Sequence, residues 1–270
     1  MGFVDKLAGA VRRNHSLVCV GLDPDPALMP ANVSLLDFNR AIIDATSSLA
    51  CAYKPNLAFY EALGQEGMAA LAATVKHVPP HIPVIADAKR SDIGNTAKAY
   101  ARALFDYFGF DASTVNPYLV GDSVAPFLEY RDKAAIILCR TSNPGAADFQ
   151  SLICETDKGR RPLYEVVAAR AVEWNKYGNV GLVVGATYPE ELKTIRAAYP
   201  DILLLIPGVG AQGGDLALTV RYGVDPKAER TIINSSRGII YASRGNDFAE
   251  AAARAAAALR DQINREMAKK

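Results

Sequence analysis

The run Val84-Ile85-Ala86-Asp87-Ala88-Lys89-Arg90-Ser91-Asp92-Ile93-Gly94-Asn95-Thr96 sets alternating charges at the end of an apolar stretch. Side chains alternate faces along a strand, so Asp87 and Lys89 are expected on one face while Ala88 points into the packing. Asp92 follows where the chain turns into a helix, and Thr96, one helical turn later, is expected on the same face. A lysine flanked by two carboxylates is held as an ammonium, because nearby opposite charge favours the charged form and works against desolvation. Such a lysine is a proton donor rather than an amine nucleophile. The competing reading is a solvated ion pair at a helix start, with Asp92 as a first-turn helix charge. That Asp87 and Lys89 end a strand that otherwise reads as core speaks against it.

A second group of residues suits an anion. Pro207-Gly-Val-Gly-Ala-Gln-Gly-Gly-Asp215 and Ser235-Ser-Arg-Gly238 each follow a short apolar run. Glycines let backbone amides approach a phosphate at a short helix start, and Arg237 beside Gly238 offers a bidentate fork. A glycine-rich connection with a surface arginine would explain either turn alone, but two such turns in adjacent loops favour a phosphate site.

These residues must be positioned by regular elements, and short runs rich in Val, Ile and Leu recur between amphipathic helical patterns. Such runs are the sequence form of βα units around a buried parallel sheet. Eight are expected, over 17–21, 50–54, 83–87, 112–115, 134–139, 180–184, 202–206 and 231–234. Helical spacing is clearest over 35–49, 91–108, 163–177, 189–199 and 248–267. Eight units predict an α/β fold, a (β/α)8 TIM barrel, in which functional residues gather at the C-terminal ends of the strands. By that rule the candidates are Asp23, Lys54, Asp87, Lys89, Asn116, Ser142, the 208–214 turn and Arg237. A doubly wound open sheet fits less well, since it places its glycine turn after the first strand, where this chain reads Gly21-Leu-Asp-Pro-Asp-Pro26.

The chain has 270 residues, close to the about 250 that one such barrel takes, and no linker or composition shift divides it, so residues 1–270 are expected to form a single domain. The stretch Thr141 to Arg161 is the longest irregular connection and a candidate lid. Net charge is +1, from 30 basic and 29 acidic residues mixed along the chain, which leaves no electrostatic footprint for nucleic acid or an anionic membrane. Cys19, Cys51 and Cys139 fall in apolar runs and Cys154 in a polar loop, without paired spacing, as expected for thiols of a reducing compartment. The N-terminus lacks a signal pattern and no apolar run is long enough to span a bilayer, so a cytoplasmic location is expected. His77-Val-Pro-Pro-His81 cannot present two ligands on one helix face because prolines break it, and no metal site is expected.

The motif Asp-x-Lys-x-x-Asp-Ile with a following Thr resembles that of the orotidine 5'-phosphate decarboxylase family. Gly21-Leu-Asp-Pro24, Tyr53-Lys-Pro-Asn56, Thr141-Ser-Asn-Pro-Gly145, Pro207-Gly-Val-Gly210 and Ser236-Arg-Gly238 fall in that family's order, so the resemblance covers nearly the whole chain. In length and wording it is most similar to the longer bacterial branch. The resemblance implies cofactor-free decarboxylation of a nucleotide substrate, orotidine 5'-phosphate, to uridine 5'-phosphate in pyrimidine synthesis. It implies that the Lys89 ammonium stabilises a carbanion at pyrimidine C6 and then protonates it, with Asp87 and Asp92 beside it. It also implies that Asp23 and Lys54 hold the ribose hydroxyls and extend the charged network, that Ser142 bonds the pyrimidine, and that Gln212 joins Arg237 at the phosphate. A homodimer with shared active sites is implied as well, Asp92, Ile93 and Thr96 reaching the neighbouring subunit's site.

Taken alone, Asp23 would be a turn aspartate before Pro24, Lys54 a snorkelling lysine and Ser142 an ordinary loop serine. Repulsion between Asp87 or Asp92 and a substrate carboxylate ~4 Å away is about 4 kcal/mol at an effective dielectric near 20. Enzymic rate enhancements require up to ~23 kcal/mol, so most of the effect must come from the preorganised ammonium and from remote binding energy. Three rival functions fit the same residues: a related sugar-phosphate decarboxylase using Mg²⁺, a Schiff-base aldolase through Lys89, and a catalytically silent nucleotide-binding barrel.

Overall fold

The structure, a computed structural model, describes residues 1–209 and 214–270. Its elements in chain order are α1 (Phe3–Asn14), β1 (Val18–Leu22), α2 (Leu35–Thr46), β2 (Ala52–Pro55), α3 (Leu57–Glu61), α4 (Gly64–His77), β3 (Ile85–Arg90), α5 (Gly94–Arg102) and β4 (Ala112–Val115). They continue with α6 (Val120–Leu128), β5 (Ala134–Arg140), α7 (Ala147–Gln150), β6 (Ile153–Thr156), β7 (Gly159–Pro162), α8 (Leu163–Trp174), β8 (Val180–Val184), α9 (Pro189–Ala198), β9 (Leu203–Pro207), α10 (Leu216–Gly223), β10 (Thr231–Ser235), α11 (Arg237–Ile240) and α12 (Phe248–Met267).

Eight strands pair in parallel in the order β2-β1-β10-β9-β8-β5-β4-β3. Bridges of Tyr53 to Val84 and Asn56 to Asp87 join β2 to β3, so the sheet closes on itself into the expected (β/α)8 barrel. β1, β2, β4 and β8 are buried along their whole length; β1 and β8 read as continuous apolar runs for that reason, while β2 carries the buried Lys54 and β4 the buried Ser113 and Thr114. Lys6 of α1 pairs with Asp111 at 2.8 Å, and the Phe3 amide donates to the Asp132 carbonyl. Asp111 and Asp132 precede β4 and β5, so α1 lies across the N-terminal mouth and leaves the opposite mouth open.

Three expectations need correcting. The 141–161 stretch is not irregular: it holds a 3₁₀ turn (Pro144–Ala146), α7 and the antiparallel hairpin of β6 and β7. Its strand pattern was hidden because every residue of the hairpin is exposed or half-buried, so no apolar face marks it. Cys154 accordingly lies in β6 rather than in a loop. The helix expected from residue 91 begins at Gly94 and passes at Ala103 into a π-helical turn, so Asp92 precedes the helix and the shared helical face with Thr96 does not form.

The barrel's open end depends on one close approach. A Cβ on Gly21 would lie 1.8 Å from Ser236 Oγ and 2.7 Å from Ser236 Cβ, so glycine at the end of β1 lets the turn after β10 fold inward. Gly21→Ala is expected to cost about 1–3 kcal/mol through overpacking. Adding Ser236→Gly, which removes the clashing atoms, should restore most of the loss. Urea midpoints of the single and double variants check this, and a single variant as stable as wild type would refute it.

Candidate active site

The C-terminal ends of the barrel strands surround a cleft of about 720 Å³. Asp23 follows β1, Lys54 lies in β2, Asp87 and Lys89 end β3, Ser142 follows β5, and Arg237 with Gly238 opens α11 after β10; all of them line it. Of the residues singled out from the sequence, these seven are thus brought together by the fold with Gly208 and Val209 of the 208–214 turn, whereas Asn116 is not among the residues lining the cleft. Asp92, Ile93 and Thr96 are not among the residues lining the cleft. Gln212 lies outside the described residues.

The geometry centres on Asp87. Its Oδ2 accepts from Lys54 Nζ at 2.7 Å and its Oδ1 from Lys89 Nζ at 2.5 Å, so both lysines claim one carboxylate from opposite sides. Lys54 is buried, at 4% exposure, while the Lys89 side chain is 49% exposed and faces the open cleft. Burial alone would push the Asp87 carboxyl up, but Lys54 and then Lys89 outweigh it and hold it well below the usual carboxylate range. Burial likewise opposes the Lys54 ammonium, and Asp87 followed by Asp23 reverses the effect, raising it above an ordinary lysine. One Asp23 oxygen, Oδ1, is buried with no hydrogen-bond partner among the described residues.

Local chain geometry explains why Lys89 points where it does. Lys89 has φ +48°, the left-handed region that costs a side-chain-bearing residue about 1–3 kcal/mol. It sits in an irregularity of β3 against β4, where the register jumps between Ala86 and Arg90. Strain of this kind persists where the surroundings over-determine it, and such strain is commonest at sites of function.

Asp92 makes no ion pair among the described residues; its Oδ1 accepts from the Ile93 amide at 2.8 Å. The lysine is therefore flanked by one carboxylate of its own chain, not two. Ile93 is 55% exposed and Thr96 is exposed on α5.

Several cleft residues were missed from the sequence. Tyr241 accepts from the Asp25 amide at 2.6 Å and donates to the Asp23 carbonyl at 3.1 Å, tying the segment after α11 to the loop that carries Asp23. Gln150 holds the turn that carries Ser142, accepting from the Thr141 amide at 2.8 Å and donating to Thr141 Oγ1 at 2.8 Å. Beneath that turn Arg140, 2% exposed, stacks 3.5 Å from the Tyr188 ring centroid. Thr114 of β4 touches Asp87. Asn56, inside the Tyr-Lys-Pro-Asn motif, and Asn143, inside the Thr-Ser-Asn-Pro-Gly motif, also line the cleft and carry a sequence signal that could find them. Cys19 runs beside Lys54 on β1, and burial pushes its thiol up to about 12 against the pull of that lysine, which leaves it chemically quiet.

The profile of the orotidine 5'-phosphate decarboxylase / HUMPS family matches residues 16–255. The chain belongs to that family. It is 56% identical over 264 residues to the orotidine 5'-phosphate decarboxylase of Dehalococcoides mccartyi, covering 98% of each chain. It is 51% identical to that of Herpetosiphon aurantiacus over 95% of this chain and 96% of the relative. Among solved structures, Leishmania donovani OMP decarboxylase superposes with a TM-score of 0.85 at 41% identity, covering 99% of both chains. Leishmania donovani UMP synthase gives 0.87 at 43% identity over 99% of this chain, which spans 57% of the synthase. Among the described residues no helix is long and apolar enough to cross a membrane.

The shared carboxylate makes stability pH-dependent. Because the folded Asp87 carboxyl binds its proton less readily than the unfolded one, the pair's contribution is full above the unfolded value of about 3.9 and is lost as pH falls below it. Asp87→Asn leaves the buried Lys54 ammonium short of its main counter-charge and is expected to cost about 3 kcal/mol at pH 7. The variant should also lose less stability than wild type between pH 5 and 3. Urea midpoints across that range test both, and parallel pH curves for the two proteins would contradict the assignment.

Proposed function

We propose that this protein decarboxylates orotidine 5'-phosphate to uridine 5'-phosphate and CO₂ in pyrimidine synthesis, with Lys89 as proton donor. The observation that carries the reading is the Lys89 ammonium held at 2.5 Å on Asp87 in the same cleft that Arg237 and Gly238 line. Phosphate on the helix start at Arg237 anchors the nucleotide at a distance from the reacting carbon. Asp23, with an unpartnered buried oxygen, and Lys54 hold the ribose hydroxyls. Ser142, on the turn that Gln150 holds, bonds the pyrimidine, and Gln212 joins Arg237 at the phosphate.

In the chemical step the bond from C6 to the carboxylate carbon breaks, CO₂ departs and the electron pair stays on C6. Lys89 Nζ, a fixed positive charge in place beforehand, stabilises that pair and then gives C6 its proton. Water reprotonates the amine afterwards. Asp87 directs the ammonium and resists protonation itself, so it remains a fixed anion through the cycle. The reading needs no cofactor: Lys89 supplies both charge and proton.

Residues 1–270 act as one domain, and two copies assemble as a cytoplasmic homodimer with shared sites. Supporting this, Ile93, Tyr118, Leu119 and Val120 are exposed apolar side chains at the starts of neighbouring helices α5 and α6, a surface suited to burial against a second copy. Asp92 and Thr96 lie beside that surface, and their absence from the cleft of their own chain agrees with action on the partner's.

Lys89→Ala is expected to remove turnover while leaving the fold intact. The assay follows pyrimidine absorbance with orotidine 5'-phosphate alone and again in excess chelator, since chelator-sensitive activity would point to a metal-assisted barrel instead. Retention of more than a small fraction of wild-type turnover by the variant would refute the proton-donor role.

Sharing of sites is tested by co-refolding Lys89→Ala with Asp92→Ala protein. Each homodimer is damaged at both sites, whereas a mixed dimer has one doubly damaged site and one intact site. Random exchange makes about half the dimers mixed, so roughly a quarter of all sites should recover wild-type activity under two-fold symmetry. Activity no greater than the sum of the separately refolded variants, with exchange verified, rules out Asp92 acting across the interface.

A further inference from the structure

On the decarboxylase reading above, we propose that Thr114 is a positioning residue that holds the Asp87–Lys89 segment in its reactive geometry. In the ladder between β3 and β4, Ala86 faces Ser113 and Arg90 faces Val115. Asp87, Ala88 and Lys89 therefore arch out opposite a single β4 residue, Thr114. An arch of this kind takes backbone groups out of the ladder, and a buried amide without a partner is costly. Thr114 supplies what the ladder does not. Its Oγ1 accepts from the Lys89 amide at 2.9 Å and lies 3.2 Å from Asp87 Oδ1.

The direction of these bonds follows from chemistry. An amide can only donate, so the hydroxyl accepts from Lys89 and has one proton left to give. The Asp87 carboxylate at 3.2 Å is a nearer and more strongly charged acceptor than the Ala86 carbonyl at 3.5 Å. One hydroxyl thus ties the backbone of the lysine to the side chain of its counter-ion. It does so exactly at the residue whose φ of +48° would otherwise relax. Thr114 is 1% exposed, so water cannot readily take over either bond. The lysine side chain is half exposed and is held at its tip by Asp87, while its origin is set by the backbone beneath it.

Thr114→Val keeps shape and removes the hydroxyl, while Thr114→Ser keeps the hydroxyl and removes a methyl group. If the hydroxyl positions the proton donor, the valine variant should lose kcat by ~10- to 100-fold, the scale of a misplaced catalytic group, with KM changed less than about threefold. The serine variant should stay within about threefold of wild-type kcat, since both hydrogen bonds survive. Uridine 5'-phosphate affinity should be nearly the same for all three proteins. Should the valine variant fail to fold, Thr114→Ala, which adds no apolar bulk beside Asp87, gives the same comparison with serine. A valine or alanine variant with kcat within twofold of wild type overturns the proposal. So does a serine variant as impaired as the valine one, or a loss confined to KM. Wild-type protein assayed alongside keeps the two readings separate: an inert wild type overturns the decarboxylase reading, whereas an active wild type with an unimpaired Thr114→Val overturns only the role of Thr114.

Discussion

A carboxylate buried at the end of β3 cannot exist there without cations, and the rest of the site follows from satisfying it. Moving an ion out of water costs several kcal/mol even after relaxation, and only good geometry with additional hydrogen bonds recovers it. Asp87 meets that condition with Lys54 from β2, Lys89 from its own strand and Thr114 from β4. Three adjacent strands must therefore be in register before the charge is tolerable. The closing bridge of Asn56 to Asp87 lies in the same place, so barrel closure between β2 and β3 and the charged network depend on the same residue.

The two lysines divide the work according to their exposure. Lys54 is enclosed, held by Asp87 with the charge of Asp23 acting at longer range, and serves as a permanent counter-charge. Lys89 shares the same carboxylate but keeps half its side chain in the cleft, where it can meet a ligand. Burying both would leave no mobile proton; exposing both would leave Asp87 free to take up a proton itself. The asymmetry lets one carboxylate stay ionised while one ammonium stays available.

Much of this was legible in the sequence, for physical reasons. Parallel strands buried on both faces write themselves as apolar runs, so each of the eight was found to within a few residues. Residues at the ends of those runs then identified the cleft, which is why Asp23, Lys54, Asp87, Lys89, Ser142 and Arg237 converge as expected. The hairpin of β6 and β7 escaped notice because it buries no face and so carries no alternation. Asp92 falls before the helix expected from residue 91, because Gly94 at φ +55° starts it two residues after Asp92. The arch at Asp87–Lys89 left no trace at all: strand alternation also predicts these two residues on one face, so the right outcome followed from the wrong local geometry. Thr114 and Gln150 were invisible for a different reason, since their hydrogen bonds, to backbone and side-chain groups alike, are set by the folded chain and not by any local pattern.

The state of Lys89 also says where catalytic power would come from. At 49% exposure its bond to Asp87 is screened by water, and an ammonium in high dielectric stabilises a nearby carbanion only weakly. The same charge acts several times more strongly once solvent is displaced, because interaction energy scales inversely with the effective dielectric. Displacing that solvent requires a ligand that fills the cleft from Arg237 to Lys89, and on the proposed function a phosphate at the Arg237 end would be the group whose binding energy is independent of the reaction. On that reading binding at one end would dry the other, and the strained, hydrogen-bonded arch would hold the ammonium in place as it does.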